Sequence, residues 1–134
     1  MANIRQTILV RTDLGFSTGL LAAQVAHIHM ERLRRGILGI LDDVIFNTPD
    51  LREWLNTPYI FVHGVPNKEI LFYYLDKAKE KEQILNPSIW YDTVYVGVSD
   101  NQKIPLENVI VGASLGPADS DIIKAVIGDL PLLS

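Results

Sequence analysis

The sequence contains no cysteine. Disulfides, thiolate nucleophiles and cysteine-ligated metals are therefore excluded. Lysine is missing from the first half of the chain, where none precedes Lys68. No apolar run reaches the roughly 18 residues of a membrane span, and Met1-Ala2-Asn3-Ile4-Arg5 lacks a signal-peptide pattern. The expectation is a soluble cytoplasmic protein that makes no membrane contact. Net positive charge is also lacking. Lys and Arg number 12 against 16 Asp and Glu, a formal charge of −4. That balance runs against broad nucleic-acid binding, which draws on many basic contacts to phosphate, although a local patch suffices to hold an anion. No His-Glu-x-x-His pair, nucleophile elbow or dinucleotide fingerprint occurs, and Gly15-x-x-x-Gly19 is not followed by the Lys-Ser/Thr of a Walker loop. His27 and His29 are two residues apart and diverge on a helix, so they make a poor metal pair.

What is present suits one domain over residues 1–134. The chain is 48% hydrophobic and 21% charged, enough apolar material for a core and too much for disorder. Ile8-Leu9-Val10 inside residues 4–11 reads as a buried strand. A glycine-bearing loop follows, then a helix from about 18 to 35, capped by Ser17 or Thr18 and ended by Gly36. Leu21, Val25 and Ile28 form its apolar stripe, widened by Ala22, Ala26 and Leu33. Gln24, His27 and Glu31 form a separate polar stripe at i, i+3, i+7. Residues 37–56 are less defined, with a short helix predicted to start near Thr48-Pro49-Asp50. Strands are predicted over 59–63, 93–98 and 108–115. A helix opened by Pro66 runs to about Gln83, and a last helix, opened by Asp119, is stopped by Gly128. Gly116-Pro117 reads as a turn. The order β-α-(α)-β-α-β-β-α implies an α/β fold: a three-layer α/β/α arrangement around a four-stranded mixed sheet, its first strands parallel and its last two antiparallel.

The functional residues concentrate after the first strand, where α/β folds bind ligands. A hydrolytic site in general needs an activated water, a donor for the developing oxyanion and a means of placing substrate. His27 or Asp100 can polarise water. Gln24 or Asn101 can donate to an oxyanion. Backbone N–H groups near Thr18, at a helix start, can hold phosphate or carboxylate, and Arg11 and Lys103 are candidate anion partners. Each has a structural alternative. A histidine such as His27 on a helix is more often a hydrogen-bonded structural one, and Asp100 and Asp13 also suit capping a turn. His29 and His63 suit structural roles, and Trp54 and Trp90 suit core or dimer packing, with the stacking of bases as the alternative. The basic run Lys77, Lys79 and Lys81, interleaved with Glu80 and Glu82, reads as a solvated face; Arg32, Arg34 and Arg35 form a second cluster.

Three ordered segments carry a family resemblance: Val10-Arg11-Thr12-Asp13-Leu14 leading to Ala22-Ala23-Gln24-Val25-Ala26-His27; Val96-Gly97-Val98-Ser99-Asp100; and residues 109–118 followed by the tail 126–133. Together they resemble the archaeal and eukaryotic type of peptidyl-tRNA hydrolase. The resemblance implies cofactor-free hydrolysis of the ester joining peptide to tRNA, a homodimer, and roles for His27 and Asp100, supported by Gln24 and Lys103. The sequence departs from the family pattern in two places. The family's loop lysine is missing, its candidate positions being Gly15, Thr18 and Leu20, and Ile104 stands where the family keeps a threonine. These changes leave open a non-catalytic homodimeric relative that binds a small molecule or a protein, or a hydrolase of another ester or amide.

Overall fold

The computed structural model describes residues 3–41, 48–99 and 102–133, with side chains described outside 36–50 and 96–99. The elements are β1 (Ile4–Arg11), α1 (Thr18–Leu41), α2 (Thr48–Asn56), β2 (Tyr59–Val65), α3 (Lys68–Lys79), α4 (Glu82–Leu85), β3 (Ser88–Ser99), β4 (Gln102–Asp119) and α5 (Ser120–Ile127). The sheet order is β2-β1-β4-β3. β1 and β2 are parallel, from Arg5 opposite Tyr59 to Arg11 opposite Val65. β4 runs antiparallel to both β1 and β3. The mixed four-stranded sheet expected from the element order is therefore present.

Alternation along β1 feeds two cores, one on each face of the sheet. Ile8 and Val10 pack with Ile28 of α1 and Val111 of β4. Leu9 packs on the other face with Leu71 and Leu75 of α3, Leu85 of α4 and Ile123 of α5. Ile4, Leu51 and Trp54 form a third cluster, joined by Leu33 of α1. Helices thus cover both faces, which is why β1 is buried from Ile4 to Val10, polar residues included.

Among those polar residues Gln6 is satisfied by specific partners, as burial requires. Gln6 donates Nε2–H to Ser114 Oγ at 2.9 Å, and its Oε1 lies 2.6 Å from His29 Nδ1. Burial pushes His29 below its ordinary value. Trp54 donates its indole N–H to the Tyr59 carbonyl at 2.8 Å. Arg32 is buried and donates Nε–H to the Gly116 carbonyl at 2.6 Å, and burial lowers its guanidinium to about 10. Arg34 and Arg35 both close on Glu31, so the cluster 32–35 is divided between the core and one carboxylate.

Several boundaries differ from the sequence expectation. α1 passes Gly36 and ends at Leu41, because one glycine costs a helix only about 1 kcal/mol and Ile37-Leu38 continue the apolar sequence beyond it. The stretch 37–56 divides into the end of α1 and α2, with 42–47 outside the described residues. Asn67, not Pro66, opens α3, its side chain accepting from Ile70 N. α3 stops at Lys79, and Glu82–Leu85 is a separate turn of helix. β3 starts at Ser88, five residues before the predicted Thr93. Gly116-Pro117 lies inside β4 instead of forming a turn, because β4 stays paired with β1 as far as Asp119 opposite Ile4. Gly116 has φ 87°, and a Cβ there would lie 2.8 Å from the Arg5 carbonyl oxygen, which reserves the position for glycine.

Candidate active site

At the carboxyl end of β1 the chain turns beside β2, Thr12 N donating to the Val65 carbonyl at 2.9 Å. Ser17 then opens α1: its hydroxyl accepts from Leu20 N at 3.3 Å and its carbonyl from Leu21 N at 2.8 Å. Of the two capping candidates, Ser17 is the one used. Between this loop, the start of α1 and the β3–β4 pair lies a hollow of about 670 Å³, its walls including Phe16, Leu20, Gln24, Asp92, Tyr95 and Lys103. That is the size range of small-ligand sites.

Gln24, only 3% exposed, organises this wall. An indole N–H can only donate, so the Gln24 oxygen must face Trp90 and its amide nitrogen the other way. Trp90 Nε1 lies 3.0 Å from Gln24 Oε1, and Gln24 Nε2 donates to Asp92 Oδ2 at 2.9 Å. Asp92 Oδ1 accepts from Thr93 N at 2.7 Å. The Gln24 amide is thereby held at both ends, with its second N–H not used in these bonds. One turn along α1, His27 stacks on Trp90 with ring centroids 5.0 Å apart and planes 14° from parallel. α1 and β3 thus bring His27, Gln24, Trp90 and Asp92 into one continuous group.

The other candidates are placed differently. Lys103 is exposed and lines the hollow. Thr18 is exposed at the first position of α1. Arg11, expected as an anion partner, is committed elsewhere. Its Nε and one terminal nitrogen hold both oxygens of Asp13, at 3.0 and 2.8 Å, and the other terminal nitrogen donates to the Ile110 carbonyl at 3.0 Å. This fork–fork geometry and the bond to Ile110 use three of the guanidinium's five N–H donors, and hydrogen bonding to Arg11 holds the Asp13 carboxyl below its ordinary value. His27 reaches the group through Trp90 and is not among the described residues lining the hollow. Asp100 and Asn101 lie outside the described residues. Among the described residues no cluster of His, Asp or Glu is suited to a metal.

Sequence reasoning missed Asp92 and offered Trp90 for packing or base stacking, not for holding Gln24. With the third strand started at Thr93, both fell in a connecting segment. The signal lay in Trp90-Tyr91-Asp92, an aromatic pair continuous with a β-branched run. His63 lies away from this site, its Nδ1 2.9 Å from the Leu130 carbonyl.

The family model for Peptidyl-tRNA hydrolase PTH2 matches residues 4–133, nearly the whole chain. This chain belongs to the peptidyl-tRNA hydrolase PTH2 family. A peptidyl-tRNA hydrolase of Saccharolobus solfataricus is 31% identical over 137 aligned positions, spanning 97% of this chain and 99% of the relative. One of Metallosphaera sedula is 28% identical, spanning 97% of this chain and 100% of the relative. The chain is therefore peptidyl-tRNA hydrolase-like along its full described length, and the three segments singled out in its sequence all lie within the match. Among the described residues no helix is long and apolar enough to cross a membrane. In this family member the hollow carries an apolar Leu20 at its rim, 48% exposed, beside the polar Gln24–Asp92 pair.

Proposed function

We propose that this chain hydrolyses the ester joining a peptide to tRNA, acting as one domain in the cytoplasm and as a homodimer. The observation that carries the reading is the Gln24 amide, fixed by Trp90 and Asp92 on the wall of the hollow with an N–H to spare. In this mechanism His27 or Asp100 takes a proton from water as its oxygen attacks the ester carbonyl carbon. Gln24 donates to the oxyanion that forms, with Asn101 as a second donor. The tetrahedral intermediate collapses, the carbon–oxygen bond to the ribose breaks, and the leaving oxygen takes the proton, giving a peptide acid and free tRNA. Lys103 and the N–H groups at the start of α1, near Thr18, receive phosphate. Arg11 acts indirectly, by bracing the loop through Asp13. Membership of the PTH2 family and the named activity of the archaeal relatives support the reaction class. Tyr91, Tyr95, Ile104 and Leu106 are exposed on β3 and β4, an apolar surface of the kind that marks interaction sites, and support a second copy docking there.

The test is turnover of a peptidyl-tRNA by the purified protein beside His27→Ala and Asp100→Asn. Turnover in the parent that falls in both variants supports the assignment. No turnover at any enzyme concentration overturns it.

A further inference from the structure

At the opposite edge of the sheet, beyond β2, lies a second cleft of about 440 Å³ between β2, α5 and the chain after it, lined by Arg5, Phe61, His63, Lys124, Asp129 and Leu132. It is unrelated to the hollow beside Gln24. Two of its polar side chains are almost wholly buried, Arg5 at 7% and His63 at 5% exposure. Arg5 Nε and His63 Nε2 are buried atoms with no hydrogen-bond partner, a state that costs free energy unless something meets them. The Arg5 guanidinium lies 4.7 Å above the Phe61 ring. His63 Nδ1 faces the Leu130 and Pro131 carbonyls at 2.9 and 3.3 Å. Carbonyls only accept, so Nδ1 carries the proton and Nε2 of the neutral ring presents a lone pair. The space is far larger than the roughly 30 Å³ share of one water.

A ligand matching these groups accepts from a cation and places a proton on the line to His63 Nε2. We propose that this cleft is a binding site for a small phosphate-class oxyanion, held by Arg5 and Lys124 and sharing one proton with His63 Nε2. Hydrogen phosphate brings that proton itself. A fully deprotonated anion, such as sulfate or a phosphomonoester dianion, has to take one up on binding. Burial and the nearby Arg5 charge both keep the free His63 ring neutral, against the two carbonyls that favour its protonation. The other charged groups at the cleft are Lys124, which adds attraction, and Asp129, which opposes it. The cleft lies at the negative end of α5, which opposes an anion, so the bound charge must be held by these side chains against the helix dipole.

The experiment follows the His63 imidazole nitrogens by NMR while inorganic phosphate, methyl phosphate and sulfate are titrated in turn at pH 7, 8 and 9 and constant ionic strength. The expected result is a saturable shift at His63 Nε2 with no shift at His27. Phosphate affinity should stay nearly flat with pH, while sulfate and methyl phosphate weaken about tenfold per pH unit, as uptake of one proton requires. Arg5→Gln should weaken phosphate at least tenfold. Lys124→Gln, at an exposed position, should weaken it several-fold and serves if the Arg5 variant does not fold. No saturable shift at His63 with phosphate, identical pH dependence for all three anions, or unchanged affinity in the folded variants would overturn the site.

Discussion

Gln24 of α1 and Asp92 of β3 are joined by a 2.9 Å hydrogen bond across 68 residues of sequence. Trp90 holds the other end of the same amide, so the group that points into the hollow is fixed by two elements at once. Such bracing is what an oxyanion donor requires, since a donor already in place needs no reorganisation during the reaction.

Gln24→Ala should lower kcat/KM for peptidyl-tRNA by about 100- to 1000-fold, the usual cost of one oxyanion donor. It should also lower stability, because the Trp90 N–H loses its acceptor. Steady-state kinetics beside a thermal melt separates the two effects. A variant that melts lower but turns over normally would place Gln24 in the framework alone.

Asp92→Asn keeps an oxygen that can accept from Gln24, whereas Asp92→Ala does not. If Asp92 positions Gln24, the Ala variant should lose about tenfold in kcat/KM and the Asn variant most of that less, with KM unchanged in both. A loss as deep in Asn as in Ala would mean that the carboxylate charge itself takes part.

If Lys103 receives phosphate as proposed, Lys103→Ala should raise KM with little change in kcat, because such a contact is made in ground and transition states alike. The slope of log affinity against log salt should fall by about 1, the contribution of a single phosphate contact. Binding measured by filter retention at several salt concentrations checks it.

Burial keeps both His29 and His63 below their ordinary values. In the unfolded chain they titrate near pH 6.5, so below that pH the unfolded state takes protons that the folded state refuses. Stability is therefore full above about pH 6.5 and declines as pH falls below it. Urea midpoints at pH 8 and pH 5 in phosphate-free buffer should differ in the parent, and the gap should narrow in His63→Gln, with the remainder due to His29. The depressed carboxyls of Asp13 and Glu31 contribute stability that is present above the ordinary carboxylate range and is lost as pH falls through it, at the acid side of this window.

Gly112→Ala should destabilise the fold by about 3 kcal/mol or more, the upper range for overpacking. A Cβ there would overlap the Leu9 carbonyl oxygen and lie 2.6 Å from Ile28 Cδ1. Gly19→Ala, in α1 with nothing within 4 Å of the added atom, should instead stabilise by about 0.5–1 kcal/mol. Denaturant midpoints of the two variants check both signs.

The sequence by itself determined the layers and the sheet. Ile8-Leu9-Val10 is apolar on both faces because β1 is covered on both, and the spacing of Leu21, Val25 and Ile28 is the stripe that α1 lays on it. Glycine and capping residues marked Gly128 and Asp119 correctly, since those conformations are local. Gly36 and Gly116-Pro117 misled for the opposite reason: a long helix and a paired central strand absorbed residues that locally favour a break. Only the tertiary structure decided that Gln24 meets Asp92 and Trp90, that Arg11 is spent on Asp13, and that Arg5 and His63 share a cleft. Chain pattern specifies which face a side chain occupies. Which partner it meets there depends on how separate elements are brought together, and no local spacing encodes that.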